Sequence, residues 1–244
     1  MKAIILAAGY GGSLYPLIKD TAQAMLPIRG VPVIEHLIEK IQLVGSIDEI
    51  FLVVNHRFFS QFKFWLDDYV HQVPIKLIDD GSKNQKDSVG ATRDLAFTIE
   101  SQNIQDDILI VGADNIFSCS LIDFVKYAYL RKSNPSIGVY SLNDKVKSRR
   151  YGIVTIDENK RVSDFYEKPS KLNGSRFISA CLYFLPKEQL SSIRDFLNNT
   201  KNGILIGNYI KWLSQNCNVY TFDCQGSWLD LGDEDSYMEA ICNF

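Results

Sequence analysis

The sequence predicts an α/β fold: a doubly wound, mixed but mainly parallel sheet of Rossmann-like type, joined to an α+β lobe. Three observations carry this. Ala3–Ala8, Glu49–Asn55 and Asp107–Gly112 are near-continuous apolar runs, which suit strands buried on both faces. Stretches with helical apolar spacing alternate with them through short connections. After about Asp144 the texture changes to shorter, more mixed elements.

Each element follows in order. Ala3–Ala8 is a buried strand ended by glycines. Val33–Val44 has apolar residues at 33, 34, 37, 38, 41 and 44, the spacing of a helix face. Glu49–Asn55 is the second buried strand, Ser60–Tyr69 a helix and Ile75–Ile78 a short strand. Ser88–Glu100 passes through a glycine into a helix, and Asp107–Gly112 is the third buried strand. Leu121–Leu130 reads as a helix and Ser136–Leu142 as a strand. Gly152–Asp157 and Arg161–Tyr166 flank a turn at Glu158-Asn159 and form a hairpin. Phe177–Leu185 is a strand, Lys187–Asn198 and Ile204–Gln215 are helices, Asn218–Asp223 is a strand and Ser236–Cys242 a closing helix. We read residues 1–244 as one domain with two functional halves, about 1–143 and about 144–244.

The 244 residues are 46% hydrophobic and 12% aromatic, enough to build a core. The net charge of −3 gives no basic footprint for nucleic acid or an anionic membrane. Any phosphate must therefore be bound locally. The five cysteines are scattered with no CxxC pair, which argues against a disulfide scaffold or a zinc site and for a reducing, cytoplasmic setting. No apolar run approaches the roughly 20 residues of a membrane span.

Four features bear on chemistry. The run LAAGYGGSLYPL, Leu6–Leu17, takes a buried strand straight into Gly9, Gly11 and Gly12. Glycines at a strand's carboxyl end let backbone N–H groups approach a phosphate, although an ordinary strand-to-helix turn has the same composition. The run is neither a Walker A loop nor GxGxxG. Asp114, at the end of DILIVG, is placed either to hold Mg²⁺ or to cap a turn. Asp230, among Trp228, Leu229 and Leu231, is either a second metal ligand or the start of a helix. Lys168, in Glu167-Lys168-Pro169, either pairs with a phosphate or is a surface lysine.

In this order the features resemble the sugar nucleotidyltransferases, the family of glucose-1-phosphate thymidylyltransferase and its uridylyl, cytidylyl and guanylyl relatives. The family opens with LAAGxGTRLxPLTxxxPKxLLP; this chain reads LAAGYGGSLYPLIKDTAQAMLP. Its GDN matches Gly112-Ala113-Asp114-Asn115 with one residue inserted, and its YGxV and EKP match Tyr151–Val154 and Glu167–Pro169. Its GxWxDxG matches Gly226–Gly232, and Val89–Thr92 resembles its LGTA loop.

The resemblance implies a GT-A-like nucleotidyltransferase fold with a nucleotide-binding first half and a sugar-phosphate second half. It implies that a sugar 1-phosphate oxygen attacks the α-phosphate of a nucleoside triphosphate and that pyrophosphate leaves. Asp114 and Asp230 would hold Mg²⁺ and, with Lys168, form the catalytic set. Leu6, Ala8, Gly9, Gly11, Gly12, Ser13, Gln23, Gly90 and Arg93 would bind the nucleotide. Asn115, Tyr151, Gly152, Glu167 and Trp228 would bind the acceptor. The partners are then a nucleoside triphosphate and a phosphorylated sugar, with no nucleic acid or membrane; the family is often oligomeric, so a homo-oligomer is compatible.

The chain departs from the motif where charge matters most. Ser13 and Gln23 stand where the family has Arg and Lys. Losing one charge-assisted contact in such a site costs about 2–4 kcal/mol. Lys19 and Arg93 are candidate substitutes, and a solvated surface arginine is the plain reading of Arg93. Three readings follow: a working nucleotidyltransferase with an altered phosphate grip, an inactive relative that binds a nucleotide or sugar nucleotide and regulates a partner, or another transferase chemistry on the same fold.

Overall fold

The computed structural model describes residues 1–16, 18–142, 150–170, 174–200 and 205–244. In chain order its strands are β1 (Lys2–Ala7), β2 (Pro27–Ile28), β3 (Val31–Pro32), β4 (Glu49–Val54), β5 (Ile75–Asp79), β6 (Ile108–Gly112), β7 (Asn115–Phe117), β8 (Ser136–Ser141), β9 (Gly152–Ile156), β10 (Val162–Glu167), β11 (Phe177–Leu185), β12 (Tyr220–Asp223) and β13 (Trp228–Asp230). The helices are α1 (Val33–Gln42), α2 (Phe59–Asp68), α3 (Ala91–Ser101), α4 (Leu121–Tyr129), α5 (Ser191–Asn199), α6 (Ile206–Asn216) and α7 (Glu234–Asn243). They fall into two compact units.

The first unit comprises Met1–Val89, Val111–Leu121 and Gly226–Phe244. The end of β6 lies beside β1, and β1, β4 and β5 follow. The ladders from β1 to β4 and from β4 to β5 are parallel. Their apolar runs are buried on both faces, as Ile4, Ile5, Leu52 and Val53 show. α1 buries Val33, Ile34, Leu37, Ile38 and Ile41, the stripe that its spacing predicts. A second cluster joins Leu14, Ile18, Ile28, Ile116, Leu231 and Tyr237. It ties the loop after β1 to the last segment of the chain.

The second unit comprises Gly90–Ile110 and Ile122–Gln225. β10 pairs with β9, and β11 with both β9 and β8, all antiparallel; β12 pairs with β8 in parallel. The hairpin read from the sequence is β9–β10. β11 shifts register between Ser179 and Tyr183, where Cys181 takes a left-handed φ of 50°. The strand pairs are thus parallel in the first unit and mostly antiparallel in the second.

Some boundaries move. The single helix expected over Lys187–Asn198 is a 3-10 turn, Lys187–Gln189, and then α5. The turn follows Pro186, and the Lys187 N–H donates to Asp107 Oδ1 rather than to a helical carbonyl. α7 starts two residues earlier than expected, because Asp233 caps it by accepting from the Ser236 N–H at 2.7 Å. Ile204, expected to start α6, and the division near residue 143 lie outside the described residues.

Candidate functional site

In the first unit β1 delivers the chain to Gly9, where a Cβ would meet nothing within 4 Å. Gly11 has φ +54° and turns the chain into the short 3-10 segment Gly12–Leu14, with Leu14 N–H donating to Gly11 O at 2.8 Å. Side chains from neighbouring strand ends hold this loop. Asn55, 1% exposed, donates through Nδ2 to Ala8 O and accepts from the Phe58 N–H through Oδ1. The Tyr10 hydroxyl meets Ser82 Oγ at 3.0 Å, and Ser82 also bonds the Asp80 carboxylate. Burial pushes the Asp80 carboxyl above the usual range, against the pull of the Ser82 bonds.

The short strands β7 and β13 pair antiparallel, with Asp230 opposite Asn115. The Leu231 N–H donates to Asp114 O at 2.8 Å. Asp114 and Asp230, from separate segments, are thereby brought to the same end of one ladder. Asp230 is not the start of α7; Asp233 has that role. The Asp230 carboxylate folds over Gly232, where a Cβ would sit 3.2 Å from both oxygens. Asn115 Nδ2 donates to Asp114 Oδ1 at 2.8 Å, and Asn115 Oδ1 accepts from Trp228 Nε1 at 2.8 Å. A small pocket is lined by Leu6, Gly9, Gln23, Ala113 and Asp114. Gln23 reaches across to donate to Leu231 O at 2.8 Å. Ser13 lies in the 3-10 segment with its side chain outside the described ones, and Lys19 is exposed.

In the second unit Gly90, φ +87°, opens α3, and Arg93 is exposed on its first turn. Glu167 pairs in register with Gly152. Its carboxylate lies in a cradle made by two glycines. A Cβ at Gly152 would be 3.3 Å from Glu167 Oε2, and a Cβ at Gly207 would fall on the same oxygen. Burial pushes the Glu167 carboxyl up, and the neighbouring Lys168 charge opposes this. Lys168 is exposed at φ +42°, and its N–H donates to Tyr151 O at 3.2 Å.

The sequence reading did not single out Asn55, Ser82 or Gly207. An asparagine at the end of an apolar strand was the available signal for Asn55. Nothing local marks Gly207, because its role depends on Glu167. Among the described residues, no three His, Cys, Asp or Glu side chains form a metal-binding group, and no helix is long and apolar enough to cross a membrane.

These elements are those of an α/β protein with a glycine-rich loop at the end of its first strand. Residues 2–244 match the family model described as Nucleotidyl transferase, and the chain belongs to that family. It is 27% identical over 241 residues to the bifunctional protein GlmU of Methanocaldococcus jannaschii, covering 98% of this chain and 53% of that one. It is also 27% identical to the bifunctional sugar-1-phosphate nucleotidylyltransferase/acetyltransferase of Sulfurisphaera tokodaii, covering 95% and 52%. The chain thus spans about half the length of these relatives. A UDP-glucose pyrophosphorylase structure complexed with UDP-glucose has the same fold, with TM-score 0.82, 16% identity and 99% and 97% of the two chains covered.

Proposed function

We propose that this chain transfers a nucleoside monophosphate from a nucleoside triphosphate to a sugar 1-phosphate and releases pyrophosphate. One observation carries the reading. The β7–β13 ladder brings the Asp114 and Asp230 segments to one end of the same ladder, and Asp114 shares a pocket with Gly9 of the glycine loop.

Two carboxylates with no third acidic or imidazole side chain grouped beside them among the described residues are a hard, incomplete oxygen set. That suits Mg²⁺, which keeps waters and takes phosphate oxygens to finish its shell. Asp114 and Asp230 would hold the ion, which supplies charge neutralisation at the phosphates. The protein's own residues position the reactants. Backbone N–H groups around Gly9 and Gly11 cradle phosphate oxygens. Asn55 and the Tyr10–Ser82 bond keep that loop in place. In the second unit Glu167 accepts from acceptor hydroxyls and Lys168 pairs with the acceptor phosphate. A phosphate monoester has its second pKa near 6, so the acceptor is already an anion at neutral pH and needs no general base. A nucleoside triphosphate donor supports a cytoplasmic setting.

The test is pyrophosphate release by the purified protein with Mg²⁺ and a panel of nucleoside triphosphates and sugar 1-phosphates. Release with at least one pair is expected. Nucleotide binding without release from any pair would overturn the enzyme reading and leave a binding protein.

A further inference from the structure

We propose that Gln23 is a positioning residue for the two-carboxylate pair, clamping the Asp230–Gly232 segment to the glycine turn. The inference rests on the metal reading above. Gln23 opens a short 3-10 turn, Gln23–Met25, in the first unit. Leu231 O can only accept, so the Gln23 amide must present its NH₂ group there, at 2.8 Å. That leaves Oε1 facing Gly11, where a Cβ would come within 2.8 Å of it. The side chain therefore fills the space that Gly11 leaves open.

Leu231 is held on all sides. Its side chain is fully buried in the cluster around Leu14 and Ile116. Its N–H donates to Asp114 O, and its C=O accepts from Gln23. Successive peptide groups directly after Asp230 are thus fixed, one to Asp114 and one to Gln23. The Asp230 carboxylate then rests on Gly232, the next residue but one. Gln23 thus adds a second hydrogen bond at Leu231, beside the bond to Asp114 O and the β7–β13 ladder. Gln23 acts through Leu231 and brings no charge, so its contribution differs in kind from that of a cation at the same position.

The experiment is a Mn²⁺ titration of the purified chain by water-proton relaxation, with Asp230→Asn as reference. Gln23→Met keeps the side chain's length and removes the donor. Outer residues that orient metal ligands change affinity by about 10–100-fold, so Gln23→Met is expected to weaken Mn²⁺ binding at least about tenfold. In turnover it should raise the half-saturating metal concentration by a similar factor and leave the acceptor KM within about twofold. Gln23→Leu, which also removes the donor while keeping a side chain of similar bulk, should shift Mn²⁺ affinity in the same direction and serves if Gln23→Met does not fold. Mn²⁺ binding by Gln23→Met within about twofold of the parent, with only a lower Tm, overturns the positioning role and leaves the metal reading intact. A parent chain that binds Mn²⁺ no better than Asp230→Asn overturns both.

Discussion

Gly207→Ala tests the glycine cradle beneath Glu167 by the sign of its effect. At an ordinary helix position, replacing glycine by alanine stabilises by up to about 1 kcal/mol. Gly207 is the second residue of α6, so this gain is available in principle. The structure reverses it. The new methyl would fall on Glu167 Oε2, 2.7 Å from Glu167 Cδ and 2.9 Å from Phe165 Cε1. Phe165 is fully buried and cannot yield, so the Glu167 carboxylate must leave its place. Overpacking of this kind costs about 1–3 kcal/mol. At about 2–4 °C per kcal/mol for a chain of this size, the expected fall in Tm is about 2–12 °C. Thermal melts followed by circular dichroism measure it. Acceptor KM in the pyrophosphate assay should rise as well, because the displaced carboxylate is the proposed acceptor contact. Repeating the substitution on Glu167→Ala should shrink the Tm penalty, since part of the collision is gone. A Gly207→Ala protein that is as stable as the parent, or more so, would refute the cradle.

Further outcomes follow from the same geometry. Asp230→Asn should lower turnover about 10²–10⁴-fold while the fold survives, because metal stabilisation is worth several kcal/mol; near-parental pyrophosphate release would remove Asp230 from the site. Asn55→Ala removes the donor to Ala8 O and leaves the Phe58 N–H only its backbone bond to Asn55 O, and should cost about 1–3 kcal/mol in urea unfolding; a midpoint unchanged within error would count against that anchor. Glu167→Gln should alter the pH dependence of stability. The folded carboxyl titrates above its ordinary value of 4.5, so its stabilising contribution is complete below that pH and is lost as pH rises through the raised value. The variant should therefore gain on the parent as pH climbs upward from about 4.5. A stability difference that does not vary with pH would show that Glu167 titrates normally.

The long elements were legible because their physics is local. β1, β4 and β6 announce themselves as apolar runs, and α1 by its stripe. β7 and β13 are three residues each, shorter than any window in which alternation can be read. They are nonetheless the pair that brings Asp114 and Asp230 together, so sequence reading reached both carboxylates but not the ladder joining them. Asp230 stayed ambiguous for a related reason. Asp233 is three residues away and is also an acid before a helix, and only geometry shows which one caps it. The substitution of Gln23 for a cation was visible at once, whereas its bond to Leu231 depends on a tertiary approach that no local pattern encodes. Gly207 and Glu167 illustrate the same limit, since each is unremarkable until the fold sets one against the other.

The β13 strand carries a consequence for how the protein is made. The first unit is discontinuous and is completed only by Gly226–Phe244. Until that stretch has left the ribosome, Asp114 waits without Asp230, and the Leu14–Ile116 cluster lacks Leu231 and Tyr237. A chain that stops before Gly226 has only half of the carboxylate pair. The two carboxylates can therefore be neighbours only after the Gly226–Gly232 stretch has emerged and paired as β13.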